Sequence, residues 1–224
     1  MKNSNSLSAE VRWFFDGEIP NNVKSWFNAS QLKNESKERL DTYLIYPNAK
    51  SCGVKFRGKK FEIKSLAKEL GGRDFEGKAE GVIEVWEKWS TKGGSISAFK
   101  KEVTKGKAIW LDVKKQRIIR KFSADTGSIE EVDASKKENY PNNGCNVELT
   151  RIEIHKKSCW SLAFSAFGEQ ERLIDYLLET LRKLLSEEEC PFTSSDESLE
   201  VSLSESRSQS YPGFLAKYQA KRKG

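Results

Sequence analysis

The chain of 224 residues has one histidine, one methionine, four cysteines and no long apolar run. No stretch approaches the roughly 20 consecutive apolar residues that cross a bilayer as a helix, so no membrane partner is expected. The opening MKNSNSLSAE lacks the apolar core of a secretory signal, and a cytoplasmic location is the expectation. Cys52, Cys145, Cys159 and Cys190 have neither metal-binding spacing nor the density of a disulfide-stapled secreted domain, which points to reduced structural thiols. A zinc site needs more ligands than these scattered cysteines and His155 offer. His155 stands beside Lys156 and Lys157 and reads as a surface residue at a strand end. Also missing are the phosphate-binding loop of the NTPases, the dinucleotide-binding glycine pattern and the nucleophile elbow of hydrolases.

What the chain has is charge. Charged residues make up 32% of it against 37% hydrophobic, with 11% aromatic residues to supply a core. This length suits one domain with appendages. The formal net charge of +6 is unevenly spread: residues 186–208 hold seven acids and one base, whereas 1–185 carry a clear positive excess. A cationic body favours an anionic partner. Residues 1–8 are polar and read as a disordered N-terminus, and the acidic, serine-rich 186–208 reads as a flexible linker. Residues 209–224 contain SYPGFLAKY, in which Tyr211, Phe214, Leu215 and Tyr218 make an anchoring tail, either a clip on the body or a cap over an opening.

Between these lies a series of strand patterns: AEVRWFF, RLDTYLIY, CGVKFR, KFEIKS, AEGVIEVWEKWS, the pair AIWLDV and KQRIIRKF, NVELTRIEI and CWSLAFSAF. NNVKSWFNA after Pro20 spaces its apolar residues as a short helix, and EQERLIDYLLETLRKLL does so over a long one. Residues 123–144 read as a long excursion. No strand–helix rhythm runs through the chain, so the expected fold class is α+β, mainly β: eight or nine antiparallel strands with flanking helices, including a C-terminal helix. Several strands alternate charge with bulk. Glu10 and Arg12 oppose Val11, Trp13 and Phe15; Lys55 and Arg57 oppose Val54 and Phe56; Glu62 and Lys64 oppose Phe61 and Ile63. If helices cover the bulky set, the charged set lines the inside of a closed barrel and forms an anion site. A sandwich with solvated charged faces fits the alternation equally well.

The motifs Asp41-Thr42-Tyr43, Lys55-Phe56-Arg57 and Phe61-Glu62-Ile63-Lys64, followed by a late hairpin and a helix, resemble the CYTH superfamily of triphosphate tunnel metalloenzymes over residues 9–185. That resemblance implies a tunnel-like barrel of eight antiparallel strands in which basic residues grip a triphosphate and carboxylates hold Mg²⁺ or Mn²⁺. It makes Arg12, Lys55, Arg57, Lys64, Lys115 and Arg117 the expected anion ligands, with Lys88 and Arg120 as weaker candidates. Glu10, Glu62 and Glu148 are the surviving metal-ligand candidates. The pattern departs from the family where carboxylates are expected. The first strand has Arg12 in place of a glutamate and Phe14 in place of a lysine, and Thr150, Ala163 and Ser165 stand where further acids belong.

The expectation is therefore a tunnel protein that binds a phosphate-rich anion (an organic triphosphate, a nucleotide or polyphosphate) with weak, altered or absent catalysis. A metal-dependent triphosphate phosphohydrolase is the alternative, since a one-residue register slip exchanges the two faces of a strand. A protein- or RNA-interaction module is a second alternative. RNA ranks last, because no glycine-rich aromatic signature and no helix-turn-helix pattern occurs.

Overall fold

The computed structural model describes residues 2–30, 32–46, 50–106, 109–192 and 201–220. Nine strands form one antiparallel sheet: β1 (Lys2–Asp16), β2 (Glu35–Ile45), β3 (Cys52–Arg57), β4 (Lys60–Asp74), β5 (Glu80–Lys92), β6 (Ile109–Ser123), β7 (Glu130–Val132), β8 (Gly144–Ile154) and β9 (Lys157–Phe167). The order is β2-β3-β4-β5-β1-β9-β8-β6-β7, and a further pairing of β2 with β6 over Glu35–Ile45 and Ile109–Ile119 closes eight strands into a barrel. The short β7 pairs with the far end of β6 as an extra strand. Closure leaves the eight strands with paired edges, so alternate residues point into a lumen or out toward a covering layer. This is the closed antiparallel barrel that the CYTH resemblance implied, and the solvated sandwich is set aside.

The outer face is the main core. Val11, Trp13, Phe15, Val147, Leu149, Leu162 and Phe164 are buried there together with helices α1 (Asn21–Asn28) and α3 (Leu173–Leu185). α3 buries Leu173, Tyr176, Leu177, Leu181, Leu184 and Leu185 on one stripe, as its spacing requires. Each such side chain removed from water contributes about 1.5–3 kcal/mol before entropy is counted. Gly81 lets β5 approach β1, because a Cβ there would lie 2.8 Å from the Trp13 ring. Trp13 Nε1 donates to the Glu80 carbonyl at 2.7 Å across the same contact. The remaining outer face is served by α2 (Ser95–Val103), whose Phe99 meets Phe56 and Phe61 edge-on.

Several expectations are corrected. The N-terminal residues 2–8 are strand, because β1 continues past Ala9 and pairs with β5 from Lys2. AIWLDV and KQRIIRKF are one uninterrupted strand, β6. The excursion over 123–144 contains β7, and α2 follows Gly93-Gly94. Of the segment read as a flexible acidic linker, 193–200 lies outside the described residues, as do Pro47-Asn48 and the final 221–224. Parts of the rest of that segment are packed. Phe192, Val201 and Leu203 are buried in the main core. The Leu203 carbonyl accepts from the Glu80 amide, Ser208 bridges to Trp13, and Gln209 N donates to the Arg12 carbonyl. The tail then forms helix α4 (Tyr211–Ala220). His155 and Lys156 hold φ of 49° and 64° in the two-residue turn between β8 and β9, and His155 is exposed there.

Candidate functional site

Inside the barrel the inward side chains form an apolar end and a polar end, and β1, β2, β6, β8 and β9 each run from one into the other. One end is apolar. Phe14 of β1, Tyr43 and Ile45 of β2, Leu111 and Val113 of β6, Ile152 and Ile154 of β8, and Cys159 of β9 pack together with Phe214 and Leu215 of α4. The next inward positions on the same strands are Arg12, Asp41, Lys115, Thr150 and Ser161. Phe14, where the family pattern has lysine, therefore belongs to the apolar layer.

Above that layer lies a cavity of about 380 Å³, toward the small end for ligand pockets. All nine residues singled out in the sequence border it: Glu10, Arg12, Lys55, Arg57, Glu62, Lys64, Lys115, Arg117 and Glu148. Lys88 borders it too, whereas Arg120 faces the other side of β6 and pairs with Glu131 and Glu187. The alternation of β1, β3, β4, β6 and β8 accounts for this convergence, since inward residues two apart stack along one stave. Five further charged residues belong to the site although the sequence reading gave them no role in it. Glu35, Arg39, Glu84 and Lys121 line the cavity, and Asp41 is fully buried beneath it. The signal was present in RLDTYLIY, where Arg39, Asp41, Tyr43 and Ile45 alternate with the outward set.

Asp41 is the hub. Arg57 forks onto it with Nε to Oδ1 at 2.9 Å and Nη2 to Oδ2 at 3.2 Å. Lys55 and Lys115 stand 3.5 Å from Oδ2, and Arg39 Nε stands 3.6 Å away. Burial opposes ionisation of Asp41, but Lys55, Lys115 and Arg57 outweigh it and hold the carboxyl far below its ordinary range. Glu148 receives Arg12 Nη1 at 3.1 Å and Arg117 Nη1 at 2.9 Å, with Thr150 Oγ1 donating at 3.0 Å. Glu62 faces Lys55 at 3.3 Å and Arg57 at 3.5 Å. Burial pushes Glu10 up, yet Lys64, Arg12 and the Ser8 hydroxyl bring it to about 2. Glu84, directly across from Glu10 in the β1–β5 pairing, behaves oppositely: burial raises it to about 7 despite the Trp86 N–H that it accepts.

The cations predominate. Nine lysines and arginines line the cavity against five glutamates, or six carboxylates with Asp41 below. Crowding has a consequence: burial and then Arg57 lower Lys55 to about 8, and burial with Lys55, Arg39 and Arg57 pushes Lys115 well below a normal lysine despite Asp41. Among the described residues, Arg39 Nε and Arg117 Nε, buried donors of residues that line this cavity, have no hydrogen-bond acceptor, and Tyr211 Oη has only the Ser161 hydroxyl beside it. Buried donors of this kind carry a desolvation cost unless an acceptor meets them.

The Mg²⁺ or Mn²⁺ implied by the resemblance does not fit this donor set. Among the described residues no three acids, cysteines or histidines gather as a metal site. Glu10, Glu62 and Glu148 are each already gripped by one or two cations on different staves, so their oxygens face ammonium and guanidinium groups. The positions that could have completed a cluster are Thr150, Ala163 and Ser165, and all three point inward. No helix among the described residues is long and apolar enough to cross a membrane.

No protein-family model and no curated protein matches the chain. Among solved structures it is similar to the PH1012 protein from Pyrococcus horikoshii, at 15% identity and a TM-score of 0.46 over 81% of this chain and 93% of that one. It is similar to a putative adenylyl cyclase from Hippeastrum described as having a dominant triphosphatase activity, at 15% identity and a TM-score of 0.41 over 86% and 92%. A third is the Pct1 RNA triphosphatase of S. pombe, at 10% identity and a TM-score of 0.33 over 81% and 80%.

Proposed function

We propose that the protein is a receptor for a short phosphate-rich anion, of the triphosphate class, held in the barrel lumen by basic side chains without a resident metal. The observation that carries this reading is the excess of cations around the cavity together with buried donors that lack an acceptor. A polyanion supplies what the lumen is short of. Its oxygens would take bonds from the Arg39 and Arg117 guanidiniums, and its charge would favour the protonated forms of Lys55 and Lys115, which burial and then neighbouring cations suppress. Arginines suit the task because a guanidinium still has free N–H donors after bonding one carboxylate, as Arg12 and Arg117 do with Glu148.

Binding rather than hydrolysis is the reading because Glu10, Glu62 and Glu148 are committed to salt bridges. Phosphoryl transfer with a metal needs several carboxylates free to coordinate it, and of the lumen acids Glu10, Glu62 and Glu148 are pinned, while Glu84 across from Glu10 is raised to about 7 by burial. Isothermal titration of tripolyphosphate and ATP in EDTA tests this. Binding is expected in both cases, weakened at least tenfold by Arg117→Ala and little improved when Mg²⁺ replaces the chelator. Absence of heat with either ligand would sink the reading. Phosphate release that appears only with Mg²⁺ or Mn²⁺ would favour the hydrolase instead.

A further inference from the structure

The outer wall of the barrel has two unlike halves. Where β1, β8 and β9 run, it is sealed by α1 and α3 in the main core. On β2, β3 and β4 the described residues place only α2, through Lys100 on Thr42 and Phe99 on Phe56 and Phe61. α2 buries Ile96 alone, and Phe99 is 45% exposed. Trp89 extends the strip onto β5: it stands across from Ile63, with its ring 6.4 Å from Phe61, and is 38% exposed. On the other flank Leu40 of β2 is 48% exposed. The lysines beside this strip are unbalanced. Gly93 N donates to the Lys59 carbonyl and Lys60 stands across from Lys92, so the β3–β4 turn brings three lysines together at one end of the strip. Lys101 follows Phe99 on α2. All four lysines are exposed, and none has an ion pair among the described residues. The acids nearest in the chain are taken, Glu87 by the Asn5 amide and Glu102 by Lys105.

We propose that this wall docks on an anionic membrane surface, with Trp89 and Phe99 entering the headgroup region and Lys59, Lys60, Lys92 and Lys101 facing the lipid charges. The contact is separate from the lumen and does not depend on what the lumen binds. Exposed apolar strips of this kind mark sites of association, and the charge decides the partner. A second copy of the chain would set the same unpaired lysines face to face. A folded protein partner suits the strip poorly, because protein interfaces are depleted in lysine and favour arginine. A lipid surface combines what is present: indole and phenyl rings settle at headgroup level, while lysine stems lie along apolar area and keep their ammonium groups among anionic headgroups. The expectation of no membrane partner followed from the lack of a spanning segment, and a surface contact needs none.

Co-sedimentation of the full chain with phosphatidylcholine vesicles, and with vesicles in which about a third of the lipid is phosphatidylserine, tests the proposal. Binding to the anionic vesicles is expected to be at least about tenfold tighter than to the neutral ones and to fall with added salt. Lys92→Glu with Lys101→Glu should weaken it about a hundredfold, and Trp89→Ser with Phe99→Ser about tenfold, each with the native thermal midpoint because all four residues are exposed. Brominated lipid should quench part of the tryptophan fluorescence, and Trp89→Leu should remove that part. No binding to the anionic vesicles, equal binding to both kinds, or unchanged binding in either double variant would overturn the docking surface. Self-association without lipid that Phe99→Ser abolishes would assign the wall to a second copy and overturn it as well.

Discussion

Asp41 shows at the scale of a single residue how the lumen is held ready. Its carboxylate is completely buried and faces Lys55, Arg57, Lys115 and Arg39 at once. Such a hub is weak evidence for net stability, because desolvation offsets much of the attraction. Its removal is another matter, for Lys115 is 2% exposed and would lose its nearest anion. Asp41→Asn is expected to cost about 3–5 kcal/mol in urea unfolding, with the additional loss of Arg57's fixed orientation. An unchanged midpoint would mean that the cations relax away and that Asp41 is no hub. Six of the nine candidate residues, Glu10, Arg12, Lys55, Arg57, Glu62 and Lys64, are readable because charge alternates with bulk on their strands, whereas Lys115, Arg117 and Glu148 come from the resemblance. Asp41 was harder to see as part of the site. A lone acid beside Thr42 and Tyr43 reads as a strand landmark until the β2–β6 closure brings Lys115 against it.

The elements tell where pattern reading loses its hold. β6 was split in two because its inward positions run Leu111, Val113, Lys115 and Arg117, and an abrupt change from apolar to cationic imitates a boundary between strands. The change is instead the step from the plugged layer to the anion layer, which only the closed barrel makes visible. α4 was legible as an anchor through Tyr211, Phe214 and Leu215, but nothing in SYPGFLAKY reveals that its socket is the inside of a barrel. N-terminal residues 2–8 were too polar to announce a strand, and they are one because β5 offers an edge to pair with. The socket makes a quantitative demand. Phe214 is 6% exposed and stacked on Phe14, so Phe214→Ala should destabilise the protein by about 3–5 kcal/mol, as truncation of a core phenylalanine does. Truncation of a helix lying loosely on the outside would cost under about 0.5 kcal/mol, the range of ordinary surface substitutions, and chemical denaturation separates the two cases.

Taken as a whole, the molecule turns its hydrophobic effect outward, onto α1, α3 and the segment before α4, and encloses its charges. That inversion leaves a field in the lumen that acts on ligand and protein together. Lys55 titrates at about 8 in the folded protein rather than near its ordinary 10.5, chiefly through burial and then through Arg57, against the attraction of Asp41 and Glu62. The unfolded chain therefore binds more protons than the native one between about pH 8 and 10.5, and native stability from this group rises with pH across that window. Lys115, also lowered by burial, contributes in the same direction. Anion affinity must respond with the opposite sign. A bound polyanion favours the protonated amine and raises its pKa, so binding takes up a proton near pH 8 and weakens as pH climbs above it, by up to tenfold per unit for one coupled group. Loss of a proton from the ligand adds negative charge and would strengthen binding as pH rises, so ionisation of the phosphate chain cannot produce the same slope. Titrations at pH 8 in buffers of different ionisation enthalpy should reveal the proton uptake, and Lys55→Arg should abolish the slope above pH 8 while retaining affinity. A slope that persists in Lys55→Arg would assign it to another group, and a rise of affinity with pH would contradict a lumen in which cations outnumber their partners.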